Sequence, residues 1–542
     1  MNFRRASQIA NLVLFLLLLA KAIYSSNVPA AIDIYLRLDP GLIALTAIGG
    51  RMLDIAFIPA LLVLAITPFA GRVFCGYLCP MGTTLDYSDK LFGRSFEKQF
   101  EDKRFRSIKY LSLFFLFGAS IVGVSWVFFA APLSLITRFY GLFLHPLLVF
   151  IADESLGHIR PMAEWLDVYS IALMQIPTPR FATQMFIIAF FGALFTLARV
   201  SPRFWCRNIC PSGGLMALLS KKPFVRRYVS EDCTECGRCV AACPMGAISE
   251  ESPLVTHHRE CITCHTCAKI CPERAVSFGW AKTDYDAGAT ELAYSRRQFV
   301  ITGLIGTGTA ITCLTGLSSP YGKPGPGQVT APGLIRPPGA LPEMDFLVRC
   351  VRCGECMAAC PTNTLQPIWL KAGILGMFSP VLTPRRRYCS PECHKCGDVC
   401  PTGAIRILSA NERIWAKTGT AMIFRRKCLA WEYQKSCMVC DEVCPFKAVA
   451  FTKEPGNPVP VPRVREEKCA GCGYCEHFCP AQNQSAIVVT PMGALRIFEG
   501  SFVAEGKRQG LKLAITPELK EGALLGEDDL TKGYAPGFEN SK

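Results

Sequence analysis

The segment Cys233-Thr-Glu-Cys236-Gly-Arg-Cys239-Val-Ala-Ala-Cys243-Pro244 contains three cysteines separated by two residues each and a fourth directly before a proline. A [4Fe–4S] cubane needs four thiolates, and in two-cluster ferredoxins the cysteine before the proline ligates the other cubane. The same spacing returns at Cys261, Cys264, Cys267 and Cys271-Pro272. The two groups together predict a two-cluster ferredoxin domain, with one cluster on Cys233, Cys236, Cys239 and Cys271 and the other on Cys261, Cys264, Cys267 and Cys243.

Four further groups of four cysteines, each also ending in Cys-Pro, follow in the C-terminal part of the chain. They are Cys350, Cys353, Cys356 and Cys360; Cys389, Cys393, Cys396 and Cys400; Cys428, Cys437, Cys440 and Cys444; and Cys469, Cys472, Cys475 and Cys479. The uneven gaps of the middle groups are tolerable, since a loop can bulge between two ligands. We expect the first of these groups to pair with the fourth and the second with the third, as in nested ferredoxin domains. The whole chain is thus predicted to bind six [4Fe–4S] clusters.

Other uses of cysteine fit the spacing less well. The chain has 29 cysteines, but disulfide frameworks do not repeat one short spacing, and zinc sites favour separated Cys-x2-Cys pairs. Cys261-Ile-Thr-Cys264-His265 also matches the attachment pattern of haem c. We reject haem there because both cysteines complete a ferredoxin group, which leaves His265 as an exposed loop residue.

Two Cys-x3-Cys-Pro pairs stand apart from the six groups, Cys75 with Cys79 and Cys206 with Cys210. Each pair directly follows an apolar segment, so both are predicted at the same face of a membrane. Together they could supply four thiolates to one further redox or cluster site. Thiol–disulfide chemistry and a purely structural turn are the alternatives. Cys313 lies inside an apolar helix and is expected to be a small core residue.

The composition favours a membrane protein over a nucleic-acid binder. Half of the residues are hydrophobic, the mean hydropathy is +0.27 and the net charge is +15. Much of the Lys and Arg flanks apolar segments, and no nucleic-acid motif is present. A membrane span takes about 20 residues, and the predicted spans are 9–28, 52–70, 107–131 and 182–199. The run from Phe139 to Ala152 contains Pro146 and is predicted to be interfacial or re-entrant.

The basic loops after the second and fourth spans predict a cytoplasmic N-terminus and a cytoplasmic first ferredoxin domain in a bacterial inner membrane. Ser295-Arg296-Arg297-Gln298-Phe299-Val300 then precedes a weakly apolar run, as in a twin-arginine export signal. An ordinary fifth membrane helix is the alternative, and both interpretations place residues 320–542 in the periplasm. A helix that does not span would keep them inside.

The predicted fold class is an α-helical membrane bundle of four spans plus a fifth, with two α+β ferredoxin-like iron–sulfur domains. The predicted domains are the membrane domain 1–225, the two-cluster ferredoxin domain 226–285, the leader, helix and Pro/Gly linker 290–342, the four-cluster ferredoxin domain 343–500, and the polar tail 501–542.

Several motifs resemble a known family. Phe74-Cys75-Gly-Tyr-Leu-Cys79-Pro80 and Trp205-Cys206-Arg-Asn-Ile-Cys210-Pro211, followed by a two-cluster ferredoxin, make residues 1–285 similar to NapH, the membrane subunit of the quinol-oxidising NapGH system of periplasmic nitrate respiration. Residues 290–542 resemble the NapG/MauM ferredoxins in their twin-arginine leader and four cysteine groups, including the long gap from Cys428 to Cys437. The chain therefore resembles a natural NapH–NapG fusion, which departs from the family in its internal leader.

The resemblance implies that electrons pass from menaquinol or ubiquinol to a periplasmic redox protein or reductase. Flow from a cytoplasmic donor into quinone is one alternative, and a redox-sensing or cofactor-assembly role is another. Candidate residues for handling the quinol protons are Asp39 and Arg138 at the predicted outer face and Asp54 near the start of the second span.

Other cofactors are not expected. Haem b needs paired histidines on facing helices, whereas only His145 lies near a membrane segment, and nothing resembles a flavin domain. If clusters lie on both sides of the membrane, about 30 Å of hydrocarbon separates them. Quinone or the Cys-x3-Cys-Pro pairs must then bridge that gap.

Overall fold

The computed structural model describes residues 3–24, 33–52, 54–93, 103–172, 174, 176–280, 294–315 and 334–515. Its first part is a helical domain. The helices are α1 Phe3–Tyr24, α2 Ile34–Arg37, α3 Pro40–Gly50, α4 Ile58–Ala70, α5 Pro80–Phe92, α6 Lys103–Ile121, α7 Pro132–Arg138, α8 His145–Trp165, α9 Tyr169–Ala172, α10 Gln184–Thr196, α11 Phe204–Asn208 and α12 Pro211–Leu219. Short 3₁₀ turns lie at Ile55–Phe57, Val127–Phe129 and Leu197–Arg199, and π-helical turns at Phe74–Leu78 and Phe139–Leu144.

Two helices in the described ranges are long and apolar enough to cross a membrane, Phe3–Tyr24 and the continuous Pro132–Trp165. The first covers the predicted span 9–28 up to Tyr24, and the rest of that span lies outside the described residues. The predicted spans 52–70 and 182–199 correspond to shorter apolar helices, Ile55–Ala70 and Gln184–Arg199. The four-span bundle therefore stays a prediction.

The third predicted span, 107–131, is shorter than expected. Its helix α6 ends at Ile121, and Gly123 follows with φ +84°, a conformation that few other residues adopt without strain. The chain then continues through a 3₁₀ turn, which gives the segment a bend instead of a straight crossing.

The run from Phe139 to Ala152 was predicted to be interfacial or re-entrant, and its position relative to the membrane stays a prediction. The run belongs to the long helix Pro132–Trp165. The π-helical turn Phe139–Leu144 directly precedes Pro146. In a regular α-helix the proline ring would clash with the carbonyl four residues back. The wider π turn relieves that clash, so the helix continues.

The first ferredoxin domain is built on a two-stranded antiparallel sheet. Strand β1 Val225–Val229 pairs with β2 Val276–Trp280, so that Val225 lies opposite Trp280. Both cysteine groups lie between the two strands in the chain. The first group includes the short helix α13 Arg238–Ala241, and the second includes α14 Thr266–Ile270.

Helix α15, Arg296–Leu314, connects this region with the C-terminal domain. Ser295 and Gln298 form a capping box, which explains why the helix begins at the twin arginine. The helix packs closely along α6 because glycines face it: a Cβ on Gly306 would come within 2.1 Å of the Phe115 carbonyl oxygen. The Thr307 hydroxyl also donates to the Gly118 carbonyl oxygen, at 3.0 Å. Cys313 is buried in this helix, as expected for a core residue.

The C-terminal domain combines small antiparallel sheets with short helices. The strand pairs are β3 Leu365–Pro367 with β4 Pro380–Leu382, β5 Thr420–Ile423 with β8 Ile487–Thr490, and β6 Val449–Thr452 with β7 Val461–Val464. The helices are α16 Glu343–Arg349, α17 Glu355–Ala358, α18 Lys395–Asp398, α19 Ala410–Trp415, α20 Val439–Glu442, α21 Tyr474–Phe478 and α22 Phe502–Arg508.

The predicted boundaries of this domain are too narrow at both ends. Ile335 and Ala340, assigned to the linker, form bridges with Leu382 and Ile405. Phe502, assigned to the polar tail, is fully buried, because α22 folds back onto the domain. The remainder of the predicted linker and tail lies outside the described residues.

The two ferredoxin domains contact opposite ends of α6. Near its start, the Tyr110 hydroxyl donates to Glu260 of the first ferredoxin domain, at 3.0 Å. Just beyond its end, the Ser125 carbonyl oxygen accepts from Arg352 of the C-terminal domain, at 2.9 Å. The 19 residues of α6 rise about 28 Å.

Candidate iron–sulfur sites and a buried thiol quartet

The structure groups 20 of the 24 ferredoxin-type cysteines into five four-cysteine sites. The spacing of the remaining four assigns them to a sixth site, and we name all six in chain order. They are site 1 (Cys233, Cys236, Cys239, Cys271), site 2 (Cys243, Cys261, Cys264, Cys267), site 3 (Cys350, Cys353, Cys356, Cys400), site 4 (Cys360, Cys389, Cys393, Cys396), site 5 (Cys428, Cys437, Cys440, Cys479) and site 6 (Cys444, Cys469, Cys472, Cys475).

Site 2 surrounds a cavity of about 360 Å³ lined by all four of its cysteines. The Ala247 N–H donates to the Cys243 sulfur at 3.2 Å, and the Thr263 N–H to the Cys261 sulfur at 3.4 Å. Such hydrogen bonds to thiolates are one way in which a protein adjusts the reduction potential of a cluster. The structure thus brings Cys243 to the three cysteines of the other group, as the spacing predicts.

Site 1 lies at the surface of the same domain. Cys239 lies beside Cys233 and packs in one apolar group with Cys271. Arg227 donates to the Cys239 sulfur at 3.5 Å, while Cys236 is exposed. His265, expected to be an exposed loop residue, is instead half-buried with its ring 4.2 Å from that of Phe278. An aromatic neighbour on β2 covers it.

The C-terminal groups do not pair as predicted. Cys400, from the second group, lies with Cys350, Cys353 and Cys356, and Cys360 lies with Cys389, Cys393 and Cys396. The first and second groups therefore form two sites together, and each group gives its last cysteine to the site of the other. Arg413 donates to the Cys389 sulfur at 3.1 Å, and the Ile405 N–H to the Cys400 sulfur at 3.4 Å.

The third and fourth groups pair with each other in the same way. Cys479 joins the third group around a cavity of about 410 Å³, and Cys444 joins the fourth around one of about 340 Å³. Strands β5 and β8 enclose both groups, and the β6–β7 hairpin lies between them. Each pair of consecutive groups is therefore a separate two-cluster unit, which rules out the nested arrangement.

The chemistry of these sites suits iron–sulfur clusters. Burial raises the pKa of Cys440 to about 12 and that of Cys400 to about 11, so an uncompensated thiolate is costly there. All 29 cysteines lie in the described residues, and none forms a disulfide. Within the described ranges no three Cys, His, Asp or Glu side chains surround a single point closely enough for one metal ion. A cubane is larger than one ion and spreads its four thiolates apart.

Sites 4 and 6 are in direct contact. The Cys389 N–H donates to the Cys472 carbonyl oxygen at 2.8 Å. Beside this hydrogen bond the rings of Tyr388 and Tyr474 stack with their centres 3.9 Å apart. The four C-terminal sites therefore form a row in the order 3, 4, 6, 5. Site 5, at its far end, adjoins the exposed side chains of Tyr433 and Met438.

The two Cys-x3-Cys-Pro pairs come together inside the helical domain. We name Cys75, Cys79, Cys206 and Cys210 the thiol quartet; all four are buried, and each lies near at least two others. The quartet adjoins site 2, because the Tyr77 hydroxyl donates to the Thr263 carbonyl oxygen at 2.9 Å. A Cβ on Gly76 would come within 2.6 Å of the Ile262 carbonyl oxygen.

An apolar cavity of about 490 Å³ lies where the helical domain meets site 3. Its walls are largely aromatic, with Phe129, Phe186, Phe190, Phe191 and Phe378. Met357, the residue after Cys356, also lines it. The polar side chains that reach it are Arg138 and Thr183.

Of the candidate residues for quinol protons, Arg138 alone lines this cavity. It is buried beside Cys350 and Cys353, and its guanidinium lies over the Phe378 ring, 5.4 Å from the ring centre. Asp39 was predicted at the outer face, but it is fully buried. Its carboxylate accepts from the Gly41 and Leu42 N–H groups and from the Ser212 hydroxyl. Asp54 is exposed and caps a 3₁₀ turn through the Ala56 N–H, at 3.1 Å.

Sequence reasoning missed three features of these sites. The Thr183 hydroxyl is buried and has no hydrogen-bond partner among the described residues. Glu260, directly before Cys261, is buried among cations of the helical domain. Glu355 is buried between two cysteines of site 3, and this burial raises its pKa well above the usual value. No spacing pattern in the sequence identifies these three residues, because their contacts join segments that are far apart in the chain.

Three kinds of iron–sulfur family match the chain. Residues 55–99 and 183–229 match a family described as a 4Fe-4S binding domain, and residues 225–272 match a 4Fe-4S dicluster domain. Residues 348–366 match a further 4Fe-4S binding domain. These matches establish a protein that carries [4Fe–4S] clusters.

Several curated proteins are similar to this chain. The methylamine utilization ferredoxin-type protein MauM of Methylorubrum extorquens is 36% identical over a 206-residue alignment that covers 36% of this chain and 89% of MauM. The ferredoxin-type protein NapG of Escherichia coli is 36% identical over a 169-residue alignment that covers 29% of this chain and 71% of NapG. NapF of the same organism is 30% identical over 146 residues, 27% of this chain and 80% of NapF.

These relatives confirm the resemblance to NapG and MauM, whereas the likeness of residues 1–285 to NapH stays a prediction. With four sites in a C-terminal row and most of the length of MauM covered, the chain belongs to the MauM/NapG family of ferredoxin-type iron–sulfur electron-transfer proteins.

Proposed function

We propose that this protein is anchored in a membrane, takes electrons from quinol, and passes them through its C-terminal sites to a soluble redox protein or reductase outside the cytoplasm. The observation that carries the proposal is the aromatic cavity beside site 3. Its lining is mostly hydrophobic and aromatic with two polar side chains, which is the composition typical of small-molecule pockets.

The cavity suits a quinone ring. Aromatic walls pack against a flat apolar ring, and the ring carries two oxygens that need hydrogen-bond donors when buried. Arg138 is one such donor, and the unpartnered Thr183 hydroxyl is the other. Arg138 also lies beside Cys350 and Cys353, so the proposed substrate would be in close reach of site 3.

Oxidation of one quinol yields quinone, two protons and two electrons. Each bound [4Fe–4S] cluster accepts and releases one electron at a time. The cysteines of sites 3, 4, 6 and 5 hold this path in a row, and the two protons leave to the solvent on the side of the C-terminal domain. Two successive one-electron transfers to the soluble acceptor at the site 5 end complete the balance.

The contacts of the two ferredoxin domains support their location on opposite sides of the membrane. They meet opposite ends of α6, and α15 runs beside that helix with 19 residues, about 28 Å. This rise is close to the hydrocarbon thickness of about 30 Å. Two helices have the length and composition of spans. The exposed Arg296 and Arg297 lie at the α15 end nearer the first ferredoxin domain, which fits the twin-arginine prediction.

Electron flow in the other direction is the second candidate. Cys236 of site 1 is exposed, so a soluble donor on that side could reduce site 1 directly. Reduction potentials that rise from site 3 to site 5 would support the main proposal, whereas potentials of sites 1 and 2 below that of quinone, without a rise from site 3 to site 5, would support the second candidate. A redox titration followed by EPR measures both.

The experiment that tests the proposal replaces the two polar side chains of the cavity, with Arg138→Met and Thr183→Val, in the full chain in lipid nanodiscs. We expect reduction of the clusters by a quinol analogue to slow by at least about tenfold, the factor that corresponds to about 1.4 kcal/mol. Reduction by dithionite should be unchanged, which shows that the clusters are loaded.

Matched controls lie close by. Arg199→Met and Thr196→Val change the same residue types at exposed positions of the Gln184–Arg199 segment. Both controls should retain wild-type rates. If the cavity variants also retain them, quinol does not react at this cavity.

A further inference from the structure

The thiol quartet has the composition and the surroundings of a further cluster site. Cys75 lies in the π-helical turn Phe74–Leu78 and Cys79 directly follows that turn. Cys206 lies in α11, and Cys210 directly precedes α12. The family match covers 55–99 and 183–229, and the quartet supplies all the cysteines in these two segments. Two distant segments with no other cysteines thus deliver two thiols each to one buried place.

Two of the four thiols lie at helix N-termini. Cys79 and Cys210 directly precede α5 and α12, and each helix begins with a proline. The N-terminus of a helix carries partial positive charge, which favours a thiolate. The Gly213 N–H donates to the Cys210 sulfur at 3.3 Å.

A buried guanidinium with free donors points at the quartet. Arg72 is fully buried, and its Nε and Nη2 atoms have no hydrogen-bond partner among the described residues. A Cβ built on Gly213 would lie 2.6 Å from Nη2 and 3.5 Å from the Cys210 sulfur, so the two atoms flank the same glycine. Arg203, also fully buried, donates to the Cys75 carbonyl oxygen at 3.0 Å. Arg72 is paired with Glu260 through Nη1 and Arg203 with Asp86, so the feature that remains unexplained is the pair of unused Arg72 donors, Nε and Nη2.

The alternatives fit less well. No disulfide joins these cysteines. In the described ranges, no three ligand side chains surround one point closely enough for a single ion such as zinc. A purely structural turn explains neither four thiols in one buried place nor the unused donors of Arg72.

We propose that the thiol quartet binds an iron–sulfur cluster, and that this cluster connects sites 1 and 2 with sites 3 to 6. Four cysteine thiolates are the ligand set of both [2Fe–2S] and [4Fe–4S] clusters. The cluster takes one electron from its neighbour on one side and gives it to its neighbour on the other. The binding claim stands alone, whereas the relay role rests on the proposed function.

Contacts on both sides of the quartet support the relay. Towards site 2, the Thr263 hydroxyl donates to the Ala70 carbonyl oxygen at 3.1 Å, in addition to the contacts of Gly76 and Tyr77. Towards site 3, Ser212 donates to Asp39, which also accepts from the Leu133 N–H. The next residue, Ser134, donates to the Val351 carbonyl oxygen at 2.8 Å, and Val351 follows Cys350 directly. Three hydrogen bonds thus lead from the loop of Cys210 to that of Cys350.

The test measures iron and acid-labile sulfide in the full chain, purified without oxygen. Sites 1 to 6 account for about 24 irons, so wild-type protein should contain about 26 with a two-iron quartet cluster or about 28 with a four-iron one. Cys206→Ala and Cys79→Ser should each lose that excess of about two or four irons, together with one EPR or Mössbauer component. Cys313→Ala removes a buried cysteine outside every group and should lose neither.

The outcomes separate the two claims. Wild-type iron of about 24 per chain, with spectra unchanged in both quartet variants, would overturn the binding claim even if one variant folded poorly. The relay claim predicts that quinol still reduces sites 3 to 6 in Cys206→Ala but no longer reduces sites 1 and 2. Equal reduction of all six sites in that variant would overturn the relay. A wild type that quinol does not reduce at all would refute the proposed function and leave the iron count valid.

Discussion

Arg72, three residues before Cys75, donates from Nη1 to Oε2 of Glu260, the residue directly before Cys261, at 3.1 Å. Both side chains are buried. Lys109 and Tyr110 donate to the same carboxylate. One buried ionic contact thus fixes the loop of the thiol quartet against the loop of site 2.

Loss of this carboxylate should weaken the junction of the two domains. Glu260→Gln leaves two buried cations without their counter-charge, and breaking a buried pair costs about 3–5 kcal/mol. We expect a lower unfolding midpoint in detergent and a changed EPR signal from site 2. Glu251→Gln, at an exposed position of the same domain, should change neither. An unchanged midpoint for Glu260→Gln would show that the junction does not depend on this contact.

The pairing of the C-terminal groups predicts which cysteines share a cluster. Cys400→Ser and Cys353→Ser should remove or alter the same EPR signal, and the double variant should resemble either single variant, because both ligands belong to site 3. Cys479→Ser should alter a different signal, that of site 5. If Cys479 and Cys353 affect one signal, the nested pairing is correct instead.

The packing of α15 on α6 predicts a marked difference between two glycines. Gly306→Ala places a Cβ within 2.1 Å of a backbone oxygen, so the helices must separate, at a cost of about 1–3 kcal/mol. Gly308→Ala meets nothing within 4 Å and should be neutral or slightly stabilising. Thermal unfolding of both variants in detergent compares them, and equal midpoints would argue against close packing of the two helices.

Asp89 predicts a dependence of stability on pH. Burial raises its pKa to about 6, and the nearby Asp86 adds to this, although the Arg203 N–H that it accepts at 2.8 Å works in the opposite direction. Because the pKa of Asp89 is higher in the folded state than in the unfolded state, protonated Asp89 contributes favourably to the free energy of unfolding. This contribution is full below about pH 4 and is lost as the pH rises through about 6.

The matching variant is Asp89→Asn, which keeps an oxygen acceptor for Arg203 and cannot ionise. It should be more stable than wild type at pH 7 by about 1 kcal/mol, after an allowance for partial solvent screening. The difference should disappear near pH 4. A constant difference across this range, measured by thermal unfolding, would show that Asp89 does not titrate as described.

Cysteine spacing predicted most of the candidate sites. Because three ligands of each site come from one short loop, the positions of Cys261, Cys264 and Cys267 already indicated site 2. The sequence could not predict which group supplies the fourth cysteine of each C-terminal site, because every group ends in the same Cys-Pro. Strand pairing decides it, and the strands are only three or four residues long.

The helical domain was less predictable. Hydropathy located the apolar segments but not their ends, since Gly123 and the π turn before Pro146 depend on local backbone geometry. The cavity beside site 3 combines side chains from three distant segments, represented by Arg138, Thr183 and Phe378. Of these, only Arg138 was a candidate from the sequence, because a buried charge in an apolar segment is rare.

The central claim, that quinol supplies the electrons of this protein, is tested most directly by rapid mixing of the oxidised full chain in lipid nanodiscs with a quinol analogue under anaerobic conditions. The visible absorption of the clusters reports their reduction, and dithionite shows the full extent. We expect quinol to bleach a large part of the dithionite-reducible absorption, with the reduced signals of sites 3 to 6 in EPR samples frozen after mixing. Full reduction by dithionite without any bleaching by quinol would contradict the account.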